Sequence, residues 1–321
     1  MTRMFRSYLW FCFTIFFLFA PSSHLRSQAI SVATVERGDE LSFPPHIFSL
    51  DSSQTNESST AQQIRWYTFI QNLPRDWSQW AQSSFRKERI GDWAIVAGLT
   101  TALFVTDDIT YTPSKHLFES SDQARDLSNS AAEMGEGITQ FGLAGGFAAY
   151  GLVFHDQRAL RTGSQIVEVV LGSGAVVQVL KHLTGRESPF TRSSETGVWK
   201  FFPDQLQYSK HVPAYDAFPS GHLCTSMATV IVVAENYPEV KWIRPLGYLF
   251  CTCVGVGMVN NGIHWYSDFP LAIFLGYSFG MIATHQEMFS VFSQAKNNPV
   301  DISISPTVNV RGAGLSLSAA F

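Results

Sequence analysis

Six windows between Trp93 and Thr284 contain neither a charged residue nor a histidine: 93–106, 137–154, 169–180, 223–234, 245–263 and 269–284, with lengths of 14, 18, 12, 12, 19 and 16 residues. None alternates apolar and polar side chains as a half-buried strand would, and all are rich in small and branched residues. Each is therefore read as a helix, and the body as an all-α, six-helix bundle. A helix that crosses a bilayer needs about 20 predominantly apolar residues. Only two windows approach that length, although functional polar groups inside a membrane bundle would shorten the others. An exported bundle with an apolar core and an integral membrane protein are both compatible with this pattern.

Composition does not choose between those solvents. The chain has 321 residues, 45% apolar, 14% aromatic with 26 Phe, and 15% charged. Its mean hydropathy of +0.05 is high for a soluble enzyme and low for a chain made mainly of spans. The apolar content excludes intrinsic disorder as the main state. A net charge of -4 and a pI near 6.1 provide no basic footprint, so no nucleic-acid partner is expected.

The termini read differently from the body. Arg3 and Arg6 precede an apolar run from Tyr8 to Ala20, then Pro21-Ser22-Ser23, and Ser27-Gln28-Ala29 offers small residues at a cleavage site. Residues 1–29 are expected to be a signal peptide or N-terminal anchor. Residues 30–63, which include the nearly apolar-free stretch Asp51 to Gln63, are expected to be a flexible linker, and 64–290 the helical domain. In the tail, 291–321, period-two alternation of Ile302, Ile304, Val308 and Val310, then Leu315, Leu317, Ala319 and Phe321, predicts a short C-terminal β-hairpin turning at Arg311-Gly312-Ala313-Gly314. Arg86, Lys87 and Arg89 would hold the first window's start in the cytoplasm, whereas a cleaved leader would place them outside. The conflict disappears for an exported bundle, which tips the reading toward a periplasmic domain.

After leader removal Cys224, Cys251 and Cys253 are left, an odd number without metal-ligand spacing, so they are read as packing residues with no disulfide or zinc site. Trp66, Trp77, Trp80 and Trp93 could serve a lipid interface, but core packing is the commoner use of Trp. Asp107, Asp108, Glu119, Asp122, Asp126, Glu133 and Glu136 make the connection 107–138 acidic, and a solvated loop without metal spacing is expected there.

Three clusters at helix ends carry chemistry. Lys181 to Pro189 (KHLTGRESP) sets a Lys and an Arg, Arg186, five residues apart, able to converge on one anion as a point charge and a planar fork. Basic residues at a helix C-terminus also favour its dipole, so alone this is weak. Phe218-Pro219-Ser220-Gly221-His222 opens a helix whose first-turn N–H groups and Ser220 hydroxyl make an anion site, with Gly221 for close approach and His222 in reach as a proton donor. His264 and Asp268 lie four residues apart, which on a helix puts a carboxylate beside the imidazole and activates it as a nucleophile or base. Nearby, Asn260 and Asn261 are read as helix-capping amides.

In this order and spacing, with 29 residues between Pro189 and Pro219 and 41 between His222 and His264, the clusters resemble the type 2 phosphatidate phosphatase superfamily, which also holds bacterial acid phosphatases and vanadium haloperoxidases. The resemblance covers about Trp93 to Thr284. It implies a helical bundle in a bacterial cell envelope and metal-independent phosphoester hydrolysis, with no cofactor, through a phosphohistidine. His264 would be the nucleophile, Asp268 its orienting carboxylate and His222 the acid for the leaving oxygen, with Lys181, Ser220 and Gly221 binding phosphate. The substrate would be a lipid phosphate, an isoprenoid diphosphate or a soluble monoester, with membrane association an accompanying expectation.

The chain departs from that pattern twice. Ser188 stands where the first motif has its Arg before Pro189, and Gly257-Met258 stand where the third motif has Ser-Arg. Each lost contact is worth about 1.5–3 kcal/mol. Arg186 is the nearest substitute phosphate ligand, with Arg192 and Lys210 as further candidates. A pseudophosphatase that binds an anion or lipid headgroup is the alternative. A vanadate-dependent haloperoxidase is disfavoured, because tight vanadate binding needs more cations.

Overall fold

A computed structural model describes residues 68–285, 301–309 and 312–320. The expected leader (1–29), the linker (30–63) and the first four residues of the expected domain (64–67, Trp66 included) lie outside the described residues, as does 286–300. Nine α-helices are described: α1 (Thr68–Ser84), α2 (Ile90–Glu119), α3 (Asp122–Met134), α4 (Gly137–Phe154), α5 (Gln157–Thr184), α6 (Gln205–Lys210), α7 (Gly221–Asn236), α8 (Ile243–Asn260) and α9 (Phe269–Thr284). Each of the six apolar windows overlaps one long helix (α2, α4, α5, α7, α8 or α9), and α1, α3 and α6 are additional. Strands β1 (Asp301–Asn309) and β2 (Gly312–Ala320) pair antiparallel with Asn309 opposite Gly312. Gly312 to Gly314, expected in the turn, therefore stand in β2.

Local chemistry sets the helix ends that matter for the site. Asp156 caps α5 by accepting from Arg158 and Ala159 N–H groups, and the helix stops at Gly185, whose φ of 55° is the left-handed conformation glycine tolerates. Ser220 caps α7, its hydroxyl accepting from Leu223 N–H. Pro270 enters the first turn of α9, where its missing N–H is harmless.

The core is built around α7, which is buried continuously from Leu223 to Ala234. It packs on α5, α8 and α9, while α4 lies on α5 and α3 on α8. Small residues let the helices approach closely: Gly276 faces the Cys224 carbonyl and Met227, and Gly163 faces the Ala144 carbonyl. Trp80 stacks on Phe279, and Trp77 donates its indole N–H to the Gly172 carbonyl at 3.0 Å, so these tryptophans join α1 to α5 and α9. Cys224 and Cys251 are buried and Cys253 is exposed, all three free.

The acidic connection is not a solvated loop. Helix α2 runs on through Asp107 to Glu119, and α3 takes up most of the remainder. The first window ends at Thr106 only because Asp107 is charged; that carboxylate is fully buried and paired inside the protein, so the helix continues.

Apolar surface also departs from expectation. Four segments are long and apolar enough to cross a membrane: Lys87–Glu119, Gly137–Phe154, Gln157–Thr184 and Ile243–Asn260. In the first, only 6% of the most apolar window is buried, and Ile95, Leu99, Val105 and Ile109 all point outward. Much of the hydrophobicity read as an unusually apolar core thus lies on the outside, the arrangement of a protein associated with a membrane.

Candidate active site

The three clusters meet where α5 ends, α7 begins and α8 gives way to α9. His264 does not sit on a helix with Asp268. It lies in the loop after α8, and Tyr266–Asp268 form a single 3-10 turn. Its Nδ1 is 2.7 Å from the Ala217 carbonyl oxygen. A carbonyl only accepts, so Nδ1 carries the proton and Nε2 the lone pair. That Nε2 is buried and has no hydrogen-bond partner. Asp268 Oδ2, at 3.5 Å from Nδ1, supports the imidazole electrostatically while accepting the Trp265 N–H at 2.7 Å. The backbone carbonyl of Ala217, which no side-chain motif reveals, is thus the closer orienting group.

His222, on the first turn of α7, faces His264 edge to face with ring centroids 5.8 Å apart. Its Nδ1 is buried without a partner. Burial first, then the proximity of His264 and Lys181, lowers its pKa to about 3, which favours the neutral imidazole. The first-turn N–H groups of Gly221 and His222 have no intrahelical acceptors and lie at the positive end of the helix dipole. A Cβ on Gly221 would stand 3.9 Å from Lys181 Nζ, which places the ammonium against this turn. Ser220, fully buried, spends its hydroxyl on the cap and its N–H on the Asp268 carbonyl at 3.1 Å.

Both site cations are already paired. Lys181 Nζ donates to Asp216 Oδ2 at 2.8 Å. Arg186, the expected substitute phosphate ligand, points elsewhere. From one end of its fork it donates to Asp268 Oδ1 (2.5 Å) and Ser267 Oγ (2.6 Å), and from the other to Asp107 Oδ2 (2.7 Å) and the Thr196 carbonyl (3.1 Å). The side chain is fully buried, between Phe104, Trp199 and Trp265. It holds Asp268, which in turn faces His264.

The other candidates lie outside the cluster. Arg192 pairs with Asp108 at 2.6 Å, and Lys210 is exposed at the end of α6. Ser188 is buried with its N–H on the Pro213 carbonyl, and Met258 is in the apolar core. Asn260 donates to Ser128 Oγ at 3.0 Å, a bridge from α8 to α3, and Asn261 bonds back to Gly257. Among the described residues no group of three or more His, Cys, Asp or Glu side chains could hold a metal.

The segment between the first two clusters is fastened around Glu187, whose Oε2 accepts from Ser193 N–H, Ser193 Oγ and Val198 N–H, while its carbonyl accepts the Trp265 indole N–H. Sequence reasoning missed Asp107, Asp216, Ser267 and the Ala217 carbonyl. Asp107 was visible only as an acid in an otherwise apolar stretch, and intramembrane or buried acids of that kind are paired by default.

The sequence profile of the PAP2 superfamily matches residues 163–291, a stretch that holds all three clusters. Over this region the chain is similar to the PAP2 superfamily. That similarity supports a phosphatase-type function in general terms. A solved PAP2 structure, the transmembrane phosphatidylglycerolphosphate phosphatase from Bacillus subtilis, aligns at 13% identity over 70% of this chain and 97% of its own, with a TM-score of 0.38. No curated protein matches the chain.

Proposed function

We propose that this PAP2 protein is a metal-independent phosphatase that hydrolyses a phosphate ester, whether lipid phosphate, isoprenoid diphosphate or soluble monoester, through a phosphohistidine on His264. The observation that carries the reading is the buried, unpartnered Nε2 of His264, with Nδ1 committed to the Ala217 carbonyl. A lone pair held in one tautomer is what attack on phosphorus requires. As the Nε2–P bond forms, the ester P–O bond breaks and the leaving oxygen takes a proton from His222. Water then attacks the phosphohistidine, gives its proton to His222 and frees phosphate. Burial favours the neutral form of His222, so the phosphate's negative charge must raise its pKa before it can act as the acid. Gly221 and His222 N–H groups and Lys181 would hold the phosphoryl oxygens.

The membrane-compatible helices α2, α4, α5 and α8 would cross the bilayer, with the shorter α7 and α9 completing the six-helix bundle among them. Residues 1–29 would target the chain to the envelope and 30–63 would tether it. Retention in the pellet after a carbonate wash supports this arrangement; release into the soluble fraction overturns it.

A second reading, a pseudophosphatase that binds an anion or lipid headgroup, is favoured by one observation: Lys181 and Arg186 are both already neutralised by carboxylates. Phosphate release from a panel of soluble and lipid phosphates separates the two. Turnover that falls by at least about 10³-fold in His264→Ala supports the phosphatase. No release at any pH between about 5 and 8, while another PAP2 phosphatase is active in parallel, leaves the binder.

A further inference from the structure

We propose that Asp216 sets the charge of the phosphoryl group this site accepts, favouring a singly charged phosphate over a dianion. The ligand class rests on the reading above; the charge rule rests on the geometry around Asp216.

The carboxylate is held from both sides. Oδ2 accepts from Lys181 Nζ at 2.8 Å and Oδ1 from the Tyr208 hydroxyl at 2.5 Å. Burial, then the hydrogen bond to Asp216 and its charge, raise the Tyr208 pKa, so the phenol keeps its proton and continues to donate. His182 stacks on the Tyr208 ring at 4.0 Å, and Lys200 lies over the neighbouring Tyr215 ring.

The backbone is equally constrained. Asp216 bridges to Arg186, the Ala217 N–H donates to the Arg186 carbonyl at 2.9 Å, and the Ala217 carbonyl holds His264. The Asp216 backbone therefore cannot shift without disturbing the carbonyl that orients His264.

Its charge reaches the anion site. Lys181 Nζ stands against the first turn of α7, and His222 feels both Lys181 and Asp216. A phosphate bound at that turn shares one ammonium with a fixed carboxylate. The positions that would outweigh this carboxylate hold Ser188 and Met258, and Arg186 is committed to Asp107 and Asp268. Asp216 is also not sealed from solvent, with 27% of its side chain exposed. Solvent there softens the repulsion to about tenfold in affinity per unit of ligand charge.

The test reads binding without turnover, on full-length protein in detergent. Inorganic phosphate, mostly a dianion at about pH 8, is compared with dimethyl phosphate, a monoanion with the same tetrahedral core and two added methyl groups, and the change on substitution is read for each ligand. Wild type should prefer dimethyl phosphate. Asp216→Asn should tighten inorganic phosphate by about 100-fold and dimethyl phosphate by about 10-fold, reversing or abolishing that preference. Asp216→Ser, which removes the charge without the amide, should move both ligands the same way and serves if the first variant does not fold.

Weaker phosphate binding in both variants would mean that Asp216 only positions Lys181, and overturns the proposal. Equal tightening of both ligands, or no phosphate binding by any form, overturns it too. If the expected pattern appears but no ester is hydrolysed, the charge rule stands and the phosphatase reading alone falls.

Discussion

Replacing Arg186 by methionine tests whether this arginine is a buried strut or a phosphate ligand. Its guanidinium serves two carboxylates at once, Asp268 and Asp107, and all three side chains are fully buried. Removing one partner of a buried ion pair costs about 3–5 kcal/mol, because a charge is stranded. Here the loss of one cation strands two carboxylates, so Arg186→Met should cost about 5 kcal/mol or more, out of a total stability on the order of 5–15 kcal/mol. Asp107→Ala should cost less. It leaves Arg186 and Asp268 balanced and removes charge-assisted bonds to Arg186 and Ser267, about 3 kcal/mol in all. The variants are compared by thermal and urea unfolding in detergent micelles, beside kcat and KM. A phosphate-binding Arg186 would give the opposite pattern, with unfolding within about 1 kcal/mol of wild type and the defect confined to KM. That result would refute the strut.

Two further outcomes follow from the packing and the titration. A Cβ on Gly257 would stand 2.8 Å from the Ser128 carbonyl oxygen, 2.9 Å from Ala131 Cβ and 3.0 Å from Ala132 N. Gly257→Ala should therefore destabilise by about 1–3 kcal/mol in the same unfolding assay, and wild-type stability would show that α3 yields more easily than its backbone contacts imply. His222 has a folded pKa near 3 against an ordinary value of 6.5, so the unfolded chain takes up its proton first as pH falls. Its contribution to stability is complete above about 6.5 and is lost toward 3; His222→Gln should flatten that part of the stability–pH curve, and an unchanged slope would contradict the assignment.

What could be read from the residues was whatever depends on local spacing. The apolar windows located six of the nine described helices, because a buried or membrane-facing helix has to be apolar over several turns, but missed the 17-residue α1, whose residues are more polar. Pro219-Ser220 announced the start of α7, and the capping hydroxyl of Ser220 is there. Charge was the misleading signal. Asp107 ended the first window at Thr106 and made the following stretch look like a loop, since a charge is ordinarily a sign of water. Its partners, Arg186 and Ser267, are 79 and 160 residues away, and no periodicity reports a pairing at such separation. The same distance problem hid Ala217, whose contribution is a backbone carbonyl and carries no residue signature. Exposure was hidden for a different reason: a helix such as α2 looks equally apolar whether it faces a core or lipid.

The motif departures and the charge pairing form one pattern. Gly257 is small because α3 presses its backbone against that position, and Met258 beside it fills the core. A Ser-Arg pair could not be restored there without displacing α3 and burying a cation among apolar side chains. Arg186 compensates for neither missing arginine, since its fork is taken by Asp107 and Asp268. The proposed phosphate site is left with helix N–H groups and a lysine paired with Asp216. With its ammonium offset by a carboxylate, such a site gains little from a second negative charge, whose larger desolvation cost then goes uncompensated. The missing arginines and the retained Asp216 thus point the same way, toward a ligand whose phosphorus carries one charge, and Asp216→Asn is the substitution that should make the site accept two.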